Sequence, residues 1–129
     1  MVSVREFMSR PPVAFNGETS VADACRLMGE RHIGSVLVSH DGVMDGIFTE
    51  RDLMSKVLLE TTDLTSVKLA GYASSPLVTV SPSTDVKEAA RIMTELKVRR
   101  LVVVEEGRPI GVFTSADLAR AVGKFPLDL

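Results

Sequence analysis

The sequence holds a single cysteine, Cys25, and that excludes an intrachain disulfide. It has no long apolar run either. Uninterrupted stretches such as Leu101 to Val104 fall far short of the roughly 20 residues a membrane span needs. Met1 leads into Arg5 and Glu6 without an apolar h-region, so no signal peptide is expected and a cytoplasmic protein is the simple reading. Charge is nearly balanced, with a net value of −2 and no basic stripe, which argues against nucleic acid and anionic membranes as partners. The patterns that usually carry catalysis are missing: there is no G-x-S-x-G, P-loop or dinucleotide fingerprint, and no nucleophile–base pair. His32 and His40 have no close second ligand in sequence, and Cys25 falls on an inferred core face, whereas a metal site needs three or four convergent ligands. The expectation is a protein with no catalytic residues and no metal.

What is present is a repeat. Gly46-Ile47-Phe48-Thr49-Glu50-Arg51-Asp52-Leu53 recurs 65 residues later as Gly111-Val112-Phe113-Thr114-Ser115-Ala116-Asp117-Leu118. The register runs without a gap from Pro11/Pro76 to Val57/Val122, and 16 of those 47 pairs are identical, too many over too long a run for chance. The chain of 129 residues is therefore two copies of one unit. A unit of about 60 residues has a marginal core by itself, so the halves are expected to bury apolar faces against each other.

Each copy opens on proline and a short apolar stretch, Pro11 to Phe15 and Pro76 to Val80, which reads as a short strand with a stiff entry. Thr19 or Ser20, and Thr84 or Asp85, can cap the helix that follows. Val21, Ala24, Cys25 and Met28, and equivalently Val86, Ala89, Ala90 and Met93, recur at helical spacing and mark one buried face. The runs Ser35 to Ser39 and Leu101 to Val104 suit strands covered on both sides. Turns at Asp41-Gly42 and Glu106-Gly107 lead into second strands, Asp45 to Phe48 and Pro109 to Phe113. Thr49 with Asp52, and Thr114 with Asp117, have the spacing of a capping box at the start of a second helix. Short helices are expected at Ser3 to Met8 and Ser66 to Tyr72, and Arg51 and Lys56 are expected to face solvent. Each unit reads β-α-β-β-α, an α/β (α+β) class. The domains divide as 1–60, a linker 61–66, and 67–129.

A paired β-α-β-β-α unit ending in G-h-x-T-x-x-D resembles the cystathionine-β-synthase (CBS) domain, and two in tandem resemble a Bateman module. The resemblance covers roughly residues 4–123, and His32 to Val38 and Lys97 to Val104 also look like the family's second strand. It implies two units packed sheet to sheet with pseudo-two-fold symmetry. It also implies a regulatory module that binds AMP, ADP, ATP or S-adenosylmethionine in two clefts and signals to an effector protein. By that resemblance one cleft uses Ile47, Thr49 and Asp52, with Pro76, Val78, Val98 and Arg99 opposite and Arg100 close by. The other uses Val112, Thr114 and Asp117, with Pro11, Val13, Ile33, Gly34 and Ser35 opposite. The Asp would bond the ribose hydroxyls, the Thr would face sugar or phosphate, and the apolar residue two before the Thr would support adenine. Guanidinium pairs well with phosphate, so the Asp52 cleft is expected to prefer AMP, ADP or ATP, and the Asp117 cleft to be weaker or to take a less charged adenosyl compound. A homodimer formed through the helices of 21–31, 53–59, 86–96 and 118–123 is also expected. The alternative is a structural or interaction dimer whose ligand sites are vestigial.

Overall fold

A computed structural model describes residues 1–126. They form two compact units that do not follow the sequential halves: Val13–Leu77, and Met1–Pro12 together with the residues from Val78 onward. The first unit contains β1 (Ala14–Asn16), α1 (Val21–Arg31), β2 (Ser35–His40), β3 (Val43–Thr49), α2 (Glu50–Asp52), a π turn over Leu53–Val57, α3 (Leu58–Glu60) and a 3-10 turn over Leu69–Gly71. The second contains a 3-10 turn over Val4–Glu6, β4 (Thr79–Val80), α4 (Val86–Leu96), β5 (Arg100–Glu105), β6 (Arg108–Thr114) and α5 (Ser115–Lys124). Each unit has a three-stranded sheet, ordered β1-β2-β3 or β4-β5-β6, with the first pair parallel and the second antiparallel.

The local signals act as the sequence suggests. Ser20 caps α1 by accepting the Asp23 N–H, and Asp85 caps α4 by accepting the Lys87 N–H. Asp41-Gly42 and Glu106-Gly107 carry positive φ at both positions, the left-handed conformation a tight hairpin between β2 and β3 or β5 and β6 requires. Val36, Leu37 and Val38 are all buried, as are Leu101, Val102 and Val103. Side chains alternate across a strand, so β2 and β5 are covered on both faces. On the helix-bearing face of each sheet, Val36, Val38 and Phe48 pack with Val21, Ala24 and Met28, while Leu101, Val103 and Phe113 pack with Val86, Ala89 and Met93. The two segments expected as short helices before each unit are single 3-10 turns.

The division into units turns on these leader segments. Residues 1–12 carry Val2, Val4, Phe7 and Met8 into the core of the second unit. The equivalent leader before the second repeat places Leu69 in the core of the first, with Val67 and Tyr72 packed against it. The leaders also complete backbone hydrogen bonding. Val86 N–H donates to Val2 O and Val21 N–H to Val67 O, both at 2.9 Å, which satisfies donors that a helix start leaves open. Ala22 N–H donates to Leu64 O at 2.9 Å, so the stretch read as a polar linker docks on α1. Hydrogen bonding at the sheet edge does the same for strands: Ser74 bridges Ile47 on β3, and Ser9 bridges Val112 on β6.

The two copies are not alike after the Thr-x-x-Asp element. Copy two continues as a regular helix, α5, whereas copy one widens at Leu53–Val57, where Leu58 N–H donates to Leu53 O five residues back. Ser55 Oγ donates to Arg51 O at 2.7 Å inside the widened stretch. A similar bond from Thr94 to Ala90 O leaves α4 regular, so the hydroxyl alone does not set the turn.

Candidate functional site

In each unit the second strand of the hairpin runs directly into a helix, and the residue at the junction is threonine. Thr49 N–H and Oγ1–H donate to Asp52 Oδ2 at 2.9 and 3.1 Å, and Asp52 N–H donates back to Thr49 Oγ1 at 3.2 Å. Thr114 N–H donates to Asp117 Oδ2 at 2.8 Å, and Asp117 N–H returns to Thr114 Oγ1 at 3.2 Å. These are capping boxes with Asp in place of Glu, as the spacing predicts. Asp52 is only 6% exposed and Asp117 only 5%, and they are the only buried polar or charged side chains among the described residues. A helix cap at a surface does not require burial, and burying a carboxylate is costly unless it is paired.

Each carboxylate is paired. Lys56 Nζ lies 3.0 Å from Asp52 Oδ1, and Arg120 Nη2 lies 2.6 Å from Asp117 Oδ1. Both cations also hold the leader of their own unit. Lys56 Nζ donates to Tyr72 O and Ser74 Oγ, each at 3.3 Å, and Arg120 Nη2 donates to Phe7 O at 3.0 Å. The Arg120 guanidinium lies 5.5 Å from the centroid of the Phe7 ring, within cation–π range. Tyr72 is held at its other end as well. Its hydroxyl donates to Glu60 at 2.6 Å, a bond that raises the phenol's pKa above its ordinary value because ionisation would break it.

Lys56 is therefore not merely solvent-facing, and neither it nor Arg120 stands among the residues the sequence marked as ligand-binding. The signal that could have found them is a cation three or four residues after each Asp. The ungapped repeat hid it by aligning Lys56 with Ala121 and Arg120 with Ser55.

The other expected residues fall into three groups. Ile47 and Thr49 share one sheet face with Ser35, whose partner across the ladder is Thr49, and Gly34 O accepts the Glu50 N–H at 3.0 Å. In the second unit, Val112 and Thr114 share a face with Arg100, paired with Thr114, and Arg99 O accepts the Ser115 N–H at 2.9 Å. Within their own unit, Arg99 and Arg100 thus adjoin Thr114 and the start of α5. Val13 and Ile33 in the first unit, and Val78 and Val98 in the second, are partly buried against their own unit's core. Pro76 and Pro11 are exposed, two residues beyond the leader serines that bridge Ile47 and Val112. Among the described residues no group of His, Cys, Asp or Glu is arranged to hold a metal ion, and no helix is long and apolar enough to cross a membrane.

The sequence profile of the CBS domain matches residues 4–59 and 69–124. An uncharacterized protein of Methanocaldococcus jannaschii is 33% identical over 116 residues, which are 86% of this chain and 61% of that protein. The chain thus spans less than two thirds of that relative's length. CBS domain-containing protein YhcV of Bacillus subtilis is 25% identical over 119 residues, 92% of this chain and 84% of that protein. Among solved structures, a hexameric CBS-CP12 protein from bloom-forming cyanobacteria superposes with a TM-score of 0.87 at 26% identity, covering 98% of this chain and 75% of that one.

Proposed function

The chain belongs to the CBS-domain family, and we propose that it is a non-catalytic regulatory module whose two Thr–Asp corners take the ribose of an adenosine derivative: AMP, ADP, ATP or S-adenosylmethionine. The observation that carries this reading is the burial of Asp52 and Asp117, at equivalent places in the two units. A carboxylate has about four lone-pair directions. The described partners use three on Asp52 and two on Asp117, which leaves acceptor capacity for hydroxyls. Beside each carboxylate stand a threonine hydroxyl and, on the same face of the strand as that threonine, an apolar residue, Ile47 or Val112. That set suits a sugar and a purine.

Ligand would act by favouring one of several arrangements that the protein already samples, and a partner protein would read the shift. Self-association belongs to the same proposal. It is supported by exposed Met54, Leu58 and Leu59 after Asp52, by exposed Leu96 and Val122 on α4 and α5, and by the hexameric state of the cyanobacterial protein. Sedimentation velocity checks it.

Thermal unfolding with and without AMP, ATP and S-adenosylmethionine tests the ligand reading. At least one should raise the midpoint, and Asp52→Asn or Asp117→Asn should weaken its binding about tenfold or more by removing charge-assisted hydrogen bonds. AMP titration into the two variants also decides which corner takes the phosphate-bearing ligand, for which the sequence favours Asp52. The second reading, a structural dimer with vestigial sites, is favoured by the self-sufficient capping boxes. Indifference to all three compounds would establish it over the first.

A further inference from the structure

The same three-part bridge occurs in both units, built from unlike residues at unlike positions. In the first, Lys56 joins Asp52 to the leader at Tyr72 and Ser74. In the second, Arg120 joins Asp117 to the leader at Phe7. The cation stands four residues after the aspartate in copy one and three after it in copy two. The π turn over Leu53–Val57 accounts for the difference, because it adds one residue to the helix between aspartate and cation. The turn also delivers Val57, rather than the residue before it, to the core, as α5 delivers Ala121. Phe7 and Tyr72 are themselves equivalent under the 65-residue offset, so the cation meets the same point of each leader.

From this geometry we infer that Lys56 and Arg120 are latches that couple the charge state and occupancy of each Thr–Asp corner to the hold on its leader. The ammonium of Lys56 has three N–H donors, and Asp52, Tyr72 and Ser74 engage all three. Its position over the leader is therefore tied to Asp52. The leader carbonyl attracts a cation only modestly, and the buried carboxylate supplies most of the pull. A ligand hydroxyl that donates to Oδ1 draws off part of that pull. The cation then swings to solvent, which is open to it because both side chains are about half exposed. The leader loses one fastening and keeps its backbone bridge, Ser74 to Ile47 or Ser9 to Val112. The leaders are where the chain passes from one unit to the other, at Pro12–Val13 and Leu77–Val78, so this is a route by which occupancy of a corner leaves the corner. The ligand part of the inference rests on the adenosine reading, while the latch itself does not.

Amide hydrogen exchange on the full chain tests it, reading Ile47 and Ser74 for one leader and Ser9 and Val112 for the other. Without ligand, Lys56→Met should speed exchange at Ile47 and Ser74 about two- to fivefold and leave Ser9 and Val112 unchanged. Arg120→Met should do the reverse. Asp52→Asn should reproduce the Lys56→Met pattern, and Lys56→Arg should restore protection. Saturating AMP should speed leader exchange in the wild type at the corner it fills, with no further effect once that corner's latch is removed. Unchanged exchange in both methionine variants overturns the latch, and AMP that slows leader exchange overturns its coupling to ligand. A wild-type chain that binds no adenosine compound but shows the exchange pattern retains the latch and defeats only the ligand reading.

Discussion

Val57 and Ala121 are the residues that the two copies bury at the same stage of the helix after the aspartate, although the repeat aligns Val57 with Val122. Val57 and Ala121 are 0% exposed, whereas Val122 is 44% exposed. The one-residue slip comes from the π turn over Leu53–Val57, and it separates two valines that sequence alone treats as equivalent. Val57→Ala is expected to cost about 1.5–3 kcal/mol, the transfer energy of two methyl groups plus the cavity left behind. Val122→Ala should stay within about 0.5 kcal/mol of the wild type. Chemical denaturation of the two variants measures the contrast. Equal losses would mean that the helix keeps the ungapped register.

A second contrast concerns the glycines that open the repeated motif. A Cβ at Gly111 would stand 2.6 Å from Met8 Sδ and 2.9 Å from Ser9 O, while one at Gly46 would meet nothing nearer than Ala73 Cβ at 3.4 Å. Gly111→Ala must therefore push the leader off β6. It is expected to destabilise the protein by about 1–3 kcal/mol, with Ser9 and Val112 losing exchange protection. Gly46→Ala should lie within about 1 kcal/mol of the wild type, since its contacts are ordinary and alanine restricts the unfolded chain.

The leaders give a test of which unit each one supports. Val4 and Leu69 are equivalent under the repeat and fully buried, but in the core of the second unit and of the first unit respectively. Leu69→Ala should cost about 2–5 kcal/mol. Amide exchange should place the loss on β2 and β3. Deleting residues 1–9 should instead speed exchange in β5 and β6, although those residues precede the first repeat.

The Cys25 thiol is half-buried on α1, and burial raises its pKa above the ordinary value because the thiolate would be poorly solvated. The sign follows from linkage. As pH rises through about 8.5 the unfolded thiol ionises first, so folded-state stability declines there, and the decline ends once the folded thiol also ionises. The midpoint of thermal unfolding between about pH 7 and pH 10 should fall more steeply for the wild type than for Cys25→Ala. Parallel profiles would remove the burial argument.

Much of the architecture was legible because it is locally encoded. Ser20 and Asp85 cap their helices through atoms two or three residues away, the Asp41-Gly42 and Glu106-Gly107 turns need only their own backbone freedom, and the Thr–Asp boxes close within one turn. Apolar period exposed α1, α4 and the buried strands for the same reason. Lys56 and Arg120 were not legible as a pair, because their shared role depends on a helix widening by one residue and on a leader carbonyl sixteen residues away in one copy and 113 in the other.

By itself the sequence determined that the chain is one unit written twice, which elements each copy makes, and that a carboxylate sits three residues after a threonine at both strand ends. Tertiary structure decided which leader joins which unit, how deeply Asp52 and Asp117 are buried, and which cation each of them meets. The division has a physical cause. Caps, turns and amphipathic faces are satisfied by neighbours along the chain, whereas the cores that bury Val4 and Leu69 are assembled from residues distant in sequence, and only the assembled packing brings those together.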